Sequence, residues 1–409
     1  MDHLTMYLLL EEEEDEEILL QLANLKNGIA PVNPIFKQRR DERCYTTLIN
    51  RHLQQDDVKF REYFRFNKSQ FNFLIDLIKE DIKTEPYNRV QYPITPEEQL
   101  AITLRFLATG EALRSLAFTF RVSHSSRIIK KTLSSLRRHL ISLYIPPSLY
   151  EKKQKAKEFC QKWNFPNCLG AVDGKHIRIR CPSHSGSLFH NYKDFFSIVL
   201  LAVVDANYKF IFIDVGSYGK EGDSGIFDKS KIGQQVRDGS IFPPPNKLPN
   251  TDQVLPCVLV GDEAFRLSTH MMKPFPRRVA SADDRKAIFN YRLSRARRVS
   301  ENAFGLLSQI FRVFYTMINL NPSTVDDLII VACCSHNLLR DAFLEGSNKP
   351  FYEIDQELPP PRNFVPFARG GGFADGDGFY IRDLFMEYFN SGQGSIPWQI
   401  GSIRRTDRN

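Results

Sequence analysis

Two apolar runs a few residues apart, FFSIVLLAVVD at residues 195–205 and KFIFIDVGS at 209–217, constrain this chain more than anything else in it. Each is dense in β-branched and aromatic residues, and only Ala206, Asn207 and Tyr208 separate them. Such runs, so closely joined, read as antiparallel strands with largely apolar faces. Upstream, LGAVDGKHIRIR at 169–180 reads as the strand that begins a three-strand meander. An apolar run enters Asp173, Gly174 turns the backbone, and alternation resumes through His176, Ile177, Arg178, Ile179 and Arg180. Asp173 then sits at a strand tip, as either a turn cap or a working acid.

The surrounding chain bounds what such a centre can be. With 409 residues there is material for two compact domains, each with its own core. The net charge of +7 is compatible with an anionic partner but is equally an ordinary solubility margin. Seven cysteines without a CxxC pair argue for reduced thiols in the cytosol or nucleus. The opening MDHLTMYLLLEEEEDEE has no basic n-region, and no apolar run reaches the roughly 18 residues of a membrane span, so a soluble chain without membrane contact is expected.

Four regions follow from the patterning. Residues 1–57 form an acidic N-terminal arm, with the run 11–17 as a solvated helix or a partner-binding segment. Residues 58–150 are helical: Phe71, Leu74, Ile75 and Ile78 share a stripe, and Thr95 with Pro96 opens a helix through Leu100, Leu104 and Leu107. The later part has helix-turn-helix character, with Ser123 as N-cap and Leu113, Leu116, Phe120, Ile129, Leu133 and Leu136 packing inward. Arg127, Lys130, Lys131, Arg137 and Arg138 crowd its last helix, which either meets phosphates or is a basic solvated face. Residues 151–345 are the α/β core, entered after Pro146 and Pro147 through a lysine-rich helix. Residues 346–409 are a C-terminal extension with one helix.

Acids recur along the core. Asp223 lies in the glycine-bounded GKEGDSGIF. The run VLPCVLVGD, preceded by the proline-rich FPPPNKLPN, reads as a strand ending on Asp262. A long helix from about 283 to 314 buries Val299, Ala303, Leu306, Leu307, Ile310 and Phe314. That leaves Glu301 on the opposite side with Ser294, Arg297, Arg298, Gly305 and Ser308, either paired with Arg297 in water or facing a wet active site. Acids at neighbouring strand ends and on a covering helix can converge. Converged carboxylates repel, so they need raised pKa values or a cation, and hard oxygen ligands suit Mg²⁺ or Mn²⁺. Two such ions about 4 Å apart would activate water against a phosphodiester and stabilise the departing 3′ oxygen.

AVDGKHIRI, GKEGDSGIF, VGDEAF and RVSENAFGLLSQIFRVF, in this order and spacing, resemble the nuclease core of the PIF/Harbinger transposases and their domesticated relatives. These belong to the DDE superfamily. The resemblance covers roughly residues 60–389, including TPEEQLAITLRFLATGEALRSLAF before the core and GDGFYIRDLFMEYF after it. It implies a ribonuclease-H-like mixed sheet flanked by helices, with Asp173, Asp223 and Glu301 as a metal-binding catalytic triad and Asp262 as an additional ligand. The implied activity is a divalent-metal-dependent DNA endonuclease, followed by strand transfer in a working transposase. A Myb-like DNA-binding partner protein, a nuclear location with some cytoplasmic pool and an oligomer are further implications. Two departures stand out: Lys175 occupies a position where the family often has Thr, and the proline-rich residues 243–249 lengthen a connection.

The competing readings are fewer. A domesticated, non-cleaving adaptor that binds DNA or protein is the main one, with a metal-dependent phosphatase behind it. Arg178, Lys193, Arg297 and Arg298 are placed to hold phosphates or are ordinary surface charges. His176, Cys181, His184 and His190 match no zinc finger or ribbon spacing. Gly370, Gly371 and Gly372 lack the Lys and Ser or Thr of a phosphate loop and read as a connector, no G-x-S-x-G elbow occurs, and the IRRTDRN end reads as a tail.

Overall fold

The computed structural model describes residues 39–84, 93–122, 124–145, 152–219, 223–346, 361, 363–366 and 376–406. The acidic run 11–17, the Ser123 cap and the glycines 370–372 lie outside the described residues. The chain divides into two compact units, Met1–Leu136 with Cys181–Gly186, and Arg137–Arg180 with Ser187–Asn409. Among the described residues no helix is long and apolar enough to cross a membrane.

The first unit is helical for reasons visible in its sequence. Helix α1 (Asp57–Phe64) is capped by Asp56, which accepts from the N–H groups of Val58 and Lys59. Helix α2 (Lys68–Ile82) starts in a capping box, Asn67 accepting from Gln70 N and Gln70 Oε1 from Asn67 N. Its Phe71, Leu74, Ile75 and Ile78 are buried, as the stripe requires. Thr95 caps α3 (Pro96–Thr109), which ends on Gly110 in the left-handed conformation at φ 66°. Helix α4 (Leu113–Phe120) then turns through Arg121 and Val122 into α5 (Ser125–Tyr144), and Leu113, Leu116, Phe120, Ile129, Leu133 and Leu136 are all buried.

The second unit is built on a mixed sheet. Helix α6 (Lys152–Trp163) precedes β1 (Cys168–Arg178), β2 (Ser197–Val204) and β3 (Phe210–Tyr218). These three strands pair antiparallel as the meander expects. The link between β2 and β3 is held by Asp205, whose carboxylate accepts from Asn207 N and Lys209 N while Tyr208 takes φ 65°. Two short helices, α7 (Asp223–Lys229) and α8 (Lys231–Arg237), lead to β4 (Asn246–Lys247), β5 (Val254–Leu255), β6 (Val258–Val260) and β7 (Met271–Met272). The order is β3-β2-β1-β6-β7, with β6 parallel to both β1 and β7. β4 and β5 make a separate ribbon, so the proline-rich insertion is a hairpin rather than a loose loop.

Helices cover both faces. Ile226, Phe227, Ile232 and Val236 of α7 and α8 and Ala156 of α6 cluster with Val172, Val199, Leu201 and Leu259 on one face. On the other, α9 (Asp284–Ile310) and α10 (Pro322–Leu344) reach the sheet: the Phe304 ring lies tilted against Phe210, centroids 5.6 Å apart, and Asn337 brackets the Phe210 backbone from both sides.

Several expectations are corrected here. Gly174 does not turn the chain, since β1 runs on through Arg178 and Gly174 pairs with Leu201 inside the ladder. Asp173 therefore lies mid-strand. The run 254–262 is not one strand but two pieces, because Pro256 has no N–H to give a ladder. Ser308 is buried with Ser300, each hydroxyl donating to the carbonyl three residues back, Gly305 and Arg297 respectively, while Leu306 is half-buried. Past residue 346 the described residues hold three elements instead of one helix: β8 (Phe364–Pro366), α11 (Gly376–Asn390) and α12 (Gln399–Thr406). β8 is too short to show a period, and it exists because β1 has an open edge for it.

Candidate active site

The open edge sets the site. Along one side β1 is paired to β6 only up to Ala171, opposite Val260, and to β8 only from Lys175, opposite Pro366. Asp173 falls in the gap between the two partners. β6 ends at Val260, and Gly261 carries the chain away beneath Phe265, whose Cδ2 would be 2.7 Å from a Cβ at that position. The next residue is Asp262. Asp262 thus lies two residues past the last β1–β6 pair, as Asp173 lies two residues past Ala171, and the acids are near enough for the Asp173 charge to act on Asp262. The carboxyl end of a strand where the pairing splits is where α/β sheets hold ligands.

The two acids sense each other. Asp173 is buried, at 4% exposure. Its Oδ1 accepts from Gly174 N at 2.9 Å, and its Oδ2 meets Lys175 Nζ at 2.8 Å. Burial pushes the Asp262 carboxyl above its usual range; the Ala264 N–H it accepts opposes this, the Asp173 charge adds to it, and Arg297 and Lys175 pull it back. Lys175 lies two residues beyond Asp173, hence on the same face, and its ammonium stands 5.2 Å from the Phe304 ring of α9.

Glu301 lies one turn before Phe304 on α9. Its Oε1 meets Arg297 Nη2 at 2.7 Å, and its side chain is 46% exposed, so the first of the two alternatives, the Arg297 pair, is realised. Because Arg297 also bears on Asp262, an alternating set of acids and bases runs from Asp173 through Lys175 and Asp262 to Arg297 and Glu301. Among the described residues no three His, Cys, Asp or Glu side chains gather closely enough to hold a metal. Asp223 opens α7, whose Ile226 and Phe227 pack on the face that Val172 occupies, opposite in alternation to Asp173. Its own side chain lies outside the described residues.

The structure thus brings Asp173 and Asp262 together, sets Glu301 near them through Arg297, and does not describe an Asp223 contact. The sequence reading gave Asp262 a secondary role; the signal that ranks it higher is a strand-terminal acid after a run parallel to the central strand. Lys175 was noted only as a departure, although the i, i+2 spacing from Asp173 already placed it on the acid face. Arg178, Lys193 and Arg298 are exposed, Arg178 lying 5.4 Å from the Phe195 ring. His176 is buried and hydrogen-bonded to Ser197 Oγ at 3.0 Å through Nδ1.

Residues 172–337 match the family described as DDE superfamily endonuclease. The chain is 27% identical over 296 residues to Protein ALP1-like of Arabidopsis thaliana, covering 70% of this chain and 71% of that one. It is also 27% identical over 303 residues to Antagonist of like heterochromatin protein 1 of Arabidopsis thaliana, with coverages of 70% and 74%. Over 288 residues it is 21% identical to HARBI1 of Rattus norvegicus, which is named as a nuclease, with coverages of 69% and 77%. No solved structure matches the chain.

Proposed function

We propose that the chain is a divalent-metal-dependent DNA endonuclease whose working acids are Asp173 and Asp262, with Glu301 as the third. The observation that carries this reading is the approach of Asp262, two residues past the end of β6, to the buried Asp173 at the split edge of β1. The order of a three-strand meander followed by a strand parallel to its first member supports a ribonuclease-H-like core. The α4–α5 pair, with its short turn and basic second helix, supports a helix-turn-helix role on DNA.

The donor set fits Mg²⁺ or Mn²⁺: hard oxygens, one carboxyl buried, and the other raised in pKa chiefly by its own burial and further by the charge of the first. A bound ion would neutralise that repulsion and lower the pKa of a water aimed at phosphorus. Asp173 is oriented by the Gly174 N–H on Oδ1 and by Lys175 Nζ on Oδ2. Asp262 is fixed by the Ala264 N–H in the same way. Arg297, on leaving Glu301, is placed to meet a backbone phosphate, as are the exposed Arg178, Lys193 and Arg298.

One observation favours the second reading, a domesticated adaptor that binds DNA or protein without cutting. The acids are already matched by Lys175 and Arg297 within the chain. A nuclear location, with a cytoplasmic pool, and a Myb-like partner protein fit either reading, and one relative is itself named as the antagonist of a heterochromatin protein. Nicking of supercoiled DNA with Mg²⁺ or Mn²⁺ separates the two readings. Cleavage that disappears in Asp173→Asn is the expected result. DNA binding without cleavage by the unaltered chain establishes the adaptor, and cleavage that survives Asp173→Asn removes the assignment.

A further inference from the structure

Both oxygens of Asp173 are already engaged, Oδ1 by the Gly174 N–H at 2.9 Å and Oδ2 by Lys175 Nζ at 2.8 Å. The backbone donor is compatible with a metal on the other oxygen. The ammonium competes with it, because it occupies one lone pair of that oxygen and adds a positive charge to the same spot. Lys175 is also confined. Its side chain is 12% exposed, its backbone is locked between Leu200 of β2 and Pro366 of β8, and Phe304 bounds its head group at 5.2 Å. A surface lysine could swing into water at little cost. One enclosed by two strands and an aromatic ring has few other places for its charge.

We propose that Lys175 is a tethered counter-ion that competes with a divalent cation for Asp173, so that metal loading of the site requires the ammonium to be displaced. The inference rests on the metal-dependent reading above and adds to it a residue that sets the metal affinity. Its chemistry also names what displaces the lysine: a phosphate group of a DNA strand lying over the acids is an alternative anionic partner for the Nζ within the same pocket. Substrate and metal then bind more tightly together than separately, and by linkage each strengthens the other equally.

Isothermal titration of Mn²⁺ into the full chain tests this with no catalytic readout. Lys175→Met keeps the aliphatic stem on Phe304 and removes the charge, Lys175→Gln is a second neutral variant in case the first does not fold, and Lys175→Arg retains the charge. The expected result is Mn²⁺ binding at least tenfold tighter in whichever neutral variant is folded, and unchanged within about twofold in Lys175→Arg. Adding Asp173→Asn to the neutral variant should abolish the gain. Equal Mn²⁺ affinity in the unaltered chain and the neutral variant would overturn the counter-ion role and leave the metal site standing. Absence of Mn²⁺ binding in every variant would overturn the counter-ion role and the metal-dependent reading together.

Discussion

Replacing Asp262 by Asn should stabilise the metal-free protein while removing its chemistry. Neighbouring strands lie about 4.8 Å apart, and two unit charges at that distance repel by about 3 kcal/mol at an effective dielectric of about 20. Burial of Asp262 is the larger cost, the Asp173 charge adds to it, and Lys175 and Arg297 offset part, so the net penalty is on the order of 1 kcal/mol by the same Coulomb arithmetic. Asparagine keeps the Oδ1 that accepts from Ala264 N, so the loop is retained while the charge is lost. The folded chain holds the Asp262 proton to a higher pH than the unfolded chain, whose carboxyl titrates near about 3.9. Stability is therefore lost as pH rises from that value through the folded one. The Asp262→Asn variant escapes this loss, so its advantage is full at pH 7.5 and fades toward pH 4. In thermal unfolding with EDTA, a gain of about 1 kcal/mol appears as about 2 to 4 °C for a unit of this size. Excess Mg²⁺ should invert the order, since a ligand at about 100 times its Kd adds about 2.7 kcal/mol to the chain that binds it. A variant less stable than its parent in EDTA at pH 7.5, or a gain as large at pH 4 as at pH 7.5, would refute the reasoning.

Three further outcomes are expected. Cleavage should fall at least a hundredfold in Asp262→Asn, and comparing Asp223→Asn in the same nicking assay decides whether Asp223 acts at the metal or only opens its helix. Arg292→Met should lower stability by about 3 kcal/mol in urea unfolding, because Arg292 donates to the Asn164 carbonyl, the Gly394 carbonyl and Gln399 Oε1 from a buried position and lies 4.3 Å from the Phe389 ring. Arg43→Ala should destabilise the helical unit by about 3 kcal/mol at neutral pH, since it strips the 2.6 Å partner from Glu98, which is fully buried.

How much of this could be read from the residues depends on whether the signal was local. The α2 stripe, the Thr95–Pro96 helix start and the β2–β3 hairpin are periodic over whole elements, so they were legible. β4, β6, β7 and β8 span two or three residues each, and pairing partners far away in sequence define them. Gly174 read as a turn because a glycine in an apolar run usually breaks it; in β1 the pairing to β2, unbroken from Ala171 to Arg178, carries the strand through it. The same non-locality hides which acids meet. Nothing within GKEGDSGIF or VLPCVLVGD shows which strand lies beside β1, and only the parallel β1–β6 pairing brings Asp262 near Asp173. Glu301 was legible as polar-facing, and its Arg297 partner followed from the i, i+4 spacing.

The central claim is that Asp173 and Asp262 share a cation. Anomalous scattering from a crystal of the full chain grown with Mn²⁺ tests it most directly. The expected map holds a Mn²⁺ peak within about 2.3 Å of an oxygen of each of these two carboxylates, with Lys175 Nζ moved off Asp173. Mn²⁺ bound elsewhere, with the Asp173–Lys175 pair intact and Asp262 without metal, would contradict it.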